Sequence, residues 1–496
     1  MGGIVFGSLL LSIWQSILFF RQNLGLSVAL FVIPAVCFIL YILNKNEKLP
    51  RKEALFLCIP IFLLSCTYFI FNNAFFKILN IFVIFAIFAI MLIWATNTEE
   101  KISFWLTKGI SILLGPIEYV GKTFALLHNG YRTWFKTDNK EGKKNMVKKI
   151  GKALIFAIPI LILVMLLLIS ADTVFANLFS GISSYFAKIW HSVEFVYLVL
   201  RIVLIGIIFI YFVSFIYNLL DKHSSYNVVE DIKRKKEIKI ERFTINTIAT
   251  LLNVIYFVFC IIQFSYLFMG ADMHQGFNYA EYARQGYFQL MAVSVINFIF
   301  LMISTMNRSE ETNKSRNYRK VMNLLLALFT MIILVSSAYR MNLYEKEFGY
   351  TYLRLLVYFS LATEMILIIP TIVYILNEKI NLIKSYFCII IGMYIIINFV
   401  NLDSMITKRN VDKYFADYEQ NQTVTIDFQY LKNATGTDAI IQIQRLLKTK
   451  DYELKRQVKN YLIQMDSDVN QNRTFSEFNL SKNKAEKVIE TLHLKP

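Results

Sequence analysis

Charge is scarce in this chain. Asp, Glu, Lys and Arg make up 18% of its 496 residues, against about 25% in soluble globular proteins. That shortage excludes an ordinary water-soluble enzyme. Histidine is scarce as well. His128, His191, His223, His274 and His493 are scattered, with no H-x-x-x-H or C-x-x-C spacing, which argues against a metal centre built on His or Cys. No metal or cofactor is expected. The five cysteines, Cys37, Cys58, Cys66, Cys260 and Cys388, all fall in apolar stretches, and they predict free, buried thiols without a disulfide framework. The first apolar run lacks a basic n-region and a small-residue cleavage site, so it reads as an anchor that stays. Its Gly3-x-x-x-Gly7 spacing predicts a close helix approach.

Apolar residues are abundant: 56% of the chain, with a mean hydropathy of +0.49. They come in blocks of about 20, the length that crosses a hydrocarbon core of about 30 Å as a helix. The blocks are Ile4–Phe20, Leu24–Leu43, Ala54–Phe71, Phe75–Ala95, Lys152–Ser170, Glu194–Leu219, Phe243–Met269, Tyr287–Thr305, Val321–Tyr339, Tyr352–Leu376 and Ser385–Leu402. The predicted fold is therefore an all-α polytopic transmembrane bundle of about eleven spans, and the absence of period-two alternation excludes a barrel.

Lys and Arg stay on the cytoplasmic side of short loops. With the N-terminus inside, the inner loops hold about 28 basic residues and the outer loops about 5, a ratio that sets the orientation. The C-terminus then lies outside. Residues 403–496 carry about 15 basic and 13 acidic residues, so the net charge of +17 sits in the inner loops, chiefly 136–152 and 233–242. Anionic lipid, and not nucleic acid, is the expected partner of those juxtamembrane lysines. The domain reading is residues 1–402 as the membrane domain, including an interfacial cytoplasmic segment 96–151, and 403–496 as a small extracytoplasmic region. In the latter, 408–433 reads as polar, whereas Asp438–Leu447 and Tyr452–Met465 have helical spacing. An envelope protein partner is expected there. The outer segment Thr173–Trp190 reads as interfacial. No internal repeat is evident, which weakens an inverted-repeat transporter reading.

Gly115-Pro116-Ile117-Glu118-Tyr119-Val120-Gly121-Lys122-Thr123 imitates a phosphate loop, but five residues separate its glycines where four are needed and no strand precedes it. The informative groups are polar ones near or inside spans, where they cost a few kcal/mol unless paired or functional. Glu364 is the deepest. Arg354, ten residues earlier on the same helix, is about 15 Å away, so the partners of Glu364 are sought among Asn253, Gln263, Gln289 and Asn297. Arg201 and Lys77 lie near span ends and are expected to snorkel. No catalytic set is evident, since the first outer loop, Arg21-Gln22-Asn23, has no carboxylate and only Glu364 is deep.

The stretch Tyr279-Ala280-Glu281-Tyr282-Ala283-Arg284-Gln285-Gly286-Tyr287-Phe288-Gln289-Leu290, with Asn297 after it, resembles a bacterial multi-pass membrane family of unknown function numbered forty-one fifty-three, and its relative forty-one seventy-three. Ser170-Ala171-Asp172-Thr173-Val174-Phe175-Ala176, Gly349-Tyr350-Thr351-Tyr352-Leu353-Arg354 and Asn401-Leu402-Asp403 with Asn410 are similar to it too, although Tyr287 stands where Phe is expected and Leu402 where Pro is. Tyr430-Leu431 and Thr437-Asp438-Ala439 resemble it more weakly. The resemblance implies a bacterial plasma-membrane location and no activity. Under the predicted orientation Asp172, Glu281, Arg284, Arg340, Arg354 and Asp403 fall at outer span ends, so they form a candidate outer-face site; Glu364 and Asn297 form a candidate intramembrane polar pair. The expected role is non-enzymatic envelope sensing or scaffolding. The alternatives are a small-solute or ion transporter using Glu364, and a membrane enzyme acting on lipid-linked substrates.

Overall fold

The computed structural model describes residues 2–46, 52–96, 116–117, 119–121, 123–125, 193–220, 241–268, 279–307, 312–420, 425–469 and 474–492. In chain order the main helices are α1 (Gly2–Phe19), α2 (Leu26–Lys45), α3 (Cys58–Ile70), α4 (Ala74–Thr96), α5 (Val193–Leu220), α6 (Arg242–Phe268), α7 (Tyr279–Met306), α8 (Asn313–Phe348), α9 (Tyr352–Leu376), α10 (Leu382–Phe399), α11 (Leu402–Gln420), α12 (Phe428–Ala434), α13 (Tyr452–Val469) and α14 (Leu480–Thr491). Short helical turns fill 437–448 and 475–477, and no strand occurs among the described residues. Nine of these helices (α1, α2 and α4 to α10) are long and apolar enough to cross a membrane. The chain is a multi-pass membrane protein.

Two expected features differ. The block Ala54–Phe71 is one turn, Lys52–Leu55, followed after a break by α3, whose thirteen residues rise only about 20 Å. The buried-thiol expectation holds for Cys260 alone: Cys58 and Cys66 are half-buried, and Cys37 and Cys388 are exposed on apolar helices, where lipid accepts a thiol as readily as a protein core does. The expected span at 152–170 and the segments 126–151 and 173–190 lie outside the described residues.

One compact unit comprises 1–21, 35–49 and 107–225. Here α1 packs along α5, where Ser16 Oγ accepts from Arg201 Nε at 2.8 Å and the Arg21 guanidinium lies 3.9 Å from the Tyr197 ring centroid. Arg201 is thus hydrogen-bonded within the unit and does not need to snorkel. Gly7 lies so close to the Phe38 ring that a Cβ would collide with it, whereas Gly3 faces open space, so half of the expected small-residue motif makes the close approach.

The second unit comprises 22–34, 50–106 and 226–496. Its membrane core is α6 to α9, built on Leu290, Phe298, Leu301, Leu326, Ile333, Val357, Leu361 and Ile368. A polar ladder crosses it between the antiparallel α7 and α8. Asn323 Oδ1 accepts from Ser304 Oγ at 3.0 Å, Thr330 Oγ1 accepts from Asn297 Nδ2 at 3.0 Å, and Ser337 Oγ donates to the Tyr287 carbonyl at 3.2 Å. The rungs on α8 are seven residues apart, two turns, so they share one face. In lipid such bonds orient helices that apolar contact alone does not.

After α10 the chain breaks at Val400-Asn401 and restarts as α11, a helix that runs into the stretch 408–433 that the sequence predicts only as polar. Its buried positions, Asp403, Ile406, Thr407, Val411 and Tyr414, repeat at helical spacing. Val411 and Tyr414 join a second core with Phe428, Ile440, Ile443, Leu446, Leu454, Val458, Tyr461, Leu462, Ala485 and Ile489, whereas Ile406 packs with Phe76, Leu355, Ile397 and Leu431.

Candidate functional site

The break before α11 starts the site. Asn401 Oδ1 accepts from the Ser404 amide at 3.0 Å, a side-chain cap for an otherwise open helix start. This turns Asp403 inward, where it is 2% exposed. Its Oδ2 accepts from the Gly436 amide at 2.8 Å and its Oδ1 from Asn73 Nδ2 at 2.8 Å. Asp438 stands beside it. Asp438 Oδ2 accepts from the Asn72 amide at 2.8 Å and Oδ1 from Asn401 Nδ2 at 3.1 Å. Asn72 Oδ1 in turn accepts from Lys77 Nζ at 2.7 Å, and the Leu24 carbonyl accepts from the same ammonium at 3.1 Å. The snorkelling expected of Lys77 is replaced by specific bonds at the end of α4.

This seam joins the α3–α4 loop, the α10–α11 break and the segment after α12. It is extended at the α3 side of that first loop and at the α1–α2 loop. Asn479 Nδ2 donates to the carbonyls of Tyr68 and Phe71, each at 2.8 Å, closing the C-terminal end of α3, whose last carbonyls have no intrahelical partner. The Glu477 carboxylate accepts from the Asn23 amide at 2.7 Å, and the Phe478 carbonyl accepts from the Leu26 amide at 3.1 Å. A Cβ on Gly25 would stand 2.7 Å from that carbonyl oxygen, so only glycine permits the approach. The C-terminal region therefore satisfies backbone groups at the α1–α2 and α3–α4 loops.

Burial pushes the Asp403 carboxyl up to about 6, with Asp438 adding to the rise and the Gly436 amide and Asn73 opposing it. The ordinary value is 3.8. The folded state therefore binds this proton more tightly than the unfolded state does. That contribution, about 3 kcal/mol for about two pKa units, is fully present below about pH 4 and lost as pH rises through about 6. Thermal melting in detergent is expected to shift upward between pH 7.5 and 5, and Asp403→Asn should flatten that part of the profile. A wild-type profile identical to the variant's would refute the assignment.

A cleft of about 590 Å³ adjoins the seam between the α8–α9 turn, α11 and the start of α12. Its rear wall is set by Gly349, at φ 77° and ψ −169°, a region open almost only to glycine. Asn410 holds that turn: its Oδ1 accepts from the Tyr350 amide at 3.0 Å, and its Nδ2 donates to the Tyr350 carbonyl at 2.8 Å. Arg354 projects from the first turn of α9, 8% exposed. Its guanidinium donates to the Gly349 carbonyl and lies 4.3 Å from the Tyr344 ring centroid. Tyr430 lies between the two charged centres. Its hydroxyl accepts from the Tyr352 amide at 2.9 Å. Burial, opposed by Arg354 and assisted by Asp403 and Asp427, pushes its phenol up to about 12.

Of the six expected outer-face residues, Arg354 and Asp403 come together, linked through Tyr430, Tyr352 and Asn73. Arg340 is buried in α8, nine residues before Gly349 and so about 14 Å deeper; it does not line the cleft. Glu281 and Arg284 fall in the first turns of α7, with their side chains outside the described set, and Asp172 lies outside the described residues. Asn73 and Asn479 carry no signal in the sequence, and Asn401 and Asp438 enter only within the stretches that resemble the family.

Glu364 is 6% exposed. Its Oε2 accepts from Ser294 Oγ and its Oε1 from Ser360 Oγ at 3.3 Å. Neither serine was among the four partners expected. Those four side chains are larger amides, and Asn297 is instead engaged by Thr330 and by the Tyr256 hydroxyl, 2.7 Å from its Oδ1. Glu364 and Asn297 both belong to the α6–α9 core, on separate hydrogen-bonded sets. Among the described residues, no group of three or more His, Cys, Asp or Glu side chains is placed to hold a metal.

Residues 58–446 match a protein family described as Domain of unknown function (DUF4153). No curated protein and no solved structure matches the chain.

Proposed function

Because the chain belongs to the DUF4153 family, whose description names no reaction, we propose its role from its own residues: a non-enzymatic sensing or scaffolding protein of a bacterial plasma membrane. The observation that carries this reading is the seam of Asp403 and Asp438. A region that only had to trail from the last span would not need buried carboxylates hydrogen-bonded to the loops of other helices. Seating it there couples whatever it binds to α3, α4, α9 and α10. The exposed faces of α12 to α14 would take a partner from the envelope, and the basic loops at 136–152 and 233–242 would bind anionic lipid. A photo-crosslinking residue at Tyr452, which is 81% exposed, is expected to give a discrete adduct with a second envelope protein in living cells, and Asp438→Ala should abolish it. Recovery of the unmodified chain alone would count against the reading.

The buried, hydrogen-bonded Glu364 favours transport as the second reading. In proteoliposomes Glu364→Gln, which keeps the shape and can still accept from Ser294, would then abolish proton- or cation-coupled uptake at least about ten-fold. Under the sensing reading it leaves the crosslinked adduct unchanged and wild-type vesicles show no uptake to lose.

A further inference from the structure

We propose that the cleft around Arg354 binds a phosphoryl group, carried by a lipid headgroup or by a free phosphoester. The proposal rests on the sensing reading above and names the chemistry that would be sensed. Arg354 anchors it. Guanidinium carries five N–H donors, yet within the described residues its one hydrogen-bond acceptor is the Gly349 carbonyl, and no described carboxylate forms an ion pair with it. The rings of Tyr344 and Phe348, whose centroids are 5.0 Å apart, both stand on one side of it, and it lines the cleft. A cation this buried calls for an anion beside it.

Two further features have the same sign. Lys413, whose Nζ also donates to the Lys346 carbonyl at 2.6 Å, adds a second positive charge to the lining. The N-terminus of α9 opens at the same place: Thr351 lines the cleft, has no side-chain cap, and no acidic residue occupies the first turn of this 25-residue helix. The Tyr352 amide is taken by the Tyr430 hydroxyl, and the positive end of the helix dipole favours an anion beside it. The volume, about 590 Å³, falls in the range of small-ligand sites. Phosphoryl oxygens offer three acceptors to a guanidinium fork, an ammonium and helix amides together, more than a carboxylate can.

Two aspartates line the cleft as well. Asp427 is engaged, its Oδ1 accepting from the Tyr430 amide at 2.8 Å. Asp417 remains for the hydroxyl or ammonium portion of the ligand, between the rings of Tyr350, Tyr414 and Tyr430. Phe348 and Leu353, 55% and 53% exposed, flank the cleft at the start of a membrane-spanning helix, where acyl chains would lie.

The test uses the full chain in a maltoside detergent, which carries no phosphate. Isothermal titration with inorganic phosphate, glycerol 3-phosphate and dihexanoyl-phosphatidylglycerol is expected to show saturable binding of at least one probe. That binding should be weakened about ten-fold or more in Arg354→Gln and in Lys413→Glu. Binding of the short-chain lipid alone assigns the headgroup, and binding of all three assigns a free phosphoester. If Arg354→Gln melts early without ligand, Lys413→Glu, on the rim, decides. No saturable binding to the wild type, or equal binding in Lys413→Glu, overturns the proposal. Persistence of the Tyr452 adduct in that case would leave the sensing or scaffolding role standing with a different ligand.

Discussion

Asp438→Ala is expected to release the C-terminal helices from the loops that they cap. The substitution removes both oxygens that accept from the Asn72 amide and Asn401 Nδ2, in a position only 7% exposed. Hydrogen bonds to a charged acceptor contribute about 1.5–3 kcal/mol each, and a buried donor left without an acceptor costs a further share of its desolvation. A total of about 3–5 kcal/mol is expected for the docked arrangement. The Lys77 ammonium also loses the nearby negative charge of Asp438. Hydrogen exchange should report the loss locally: amides of α12 and α14 exchange at least about a hundred-fold faster, while those of α7 and α8 stay protected. Unchanged exchange in α12 and α14 would mean that the seam is not what holds them.

Gly349→Ala is expected to be strongly damaging. At φ 77° and ψ −169° any Cβ is strained, at a cost of about 1–3 kcal/mol. The new atom would also stand 2.6 Å from Asn410 Oδ1. Asn410 must then move, and its bonds to both the amide and the carbonyl of Tyr350 weaken, for about 1 kcal/mol each. The α8–α9 turn and the Arg354 position share that backbone, so stability and ligand binding should fall together. Gly392→Ala supplies the contrast. Gly392 lies inside α10 with nothing within 4 Å of a Cβ, and alanine there should gain about 0.5–1 kcal/mol from helix propensity. Equal effects at the two sites would contradict the role given to the turn.

The sequence made the spanning helices legible because their signal is local. A block of about 20 apolar residues needs no knowledge of its neighbours, and even Pro34 and Pro370 inside α2 and α9 do not interrupt it. The helix α11 was missed although Asp403, Thr407, Val411 and Tyr414 share a face, because its low apolar content reads as loop when judged by hydropathy alone. The site was half legible. Arg354 and Asp403 stand out as charges beside apolar runs, and Tyr430 within a weak motif. Asp438 likewise lies within a weak motif, but Asn72 and Asn73 carry no such signal, since 366 residues separate Asn72 from Asp438, and an asparagine pair between two helices reads as a turn. Ser294 escaped notice as the partner of Glu364 for a related reason: a serine in an apolar helix carries no sign of which helix it faces.

The central claim is that the C-terminal region sits on the loop ends at 22–25, 71–73 and 349–351. A thiol crosslink tests it most directly. In a chain with its five native cysteines replaced, cysteines at Asn23 and Glu477, whose native groups lie 2.7 Å apart, should be joined by a short bifunctional thiol reagent in intact membranes. A cysteine at Lys320, on the far end of α8, should not be joined to the one at Glu477. Efficient linkage of the first pair alone is the predicted result. Linkage of Glu477 to Lys320, with none to Asn23, would place the C-terminal region at the opposite end of the helices and contradict the account.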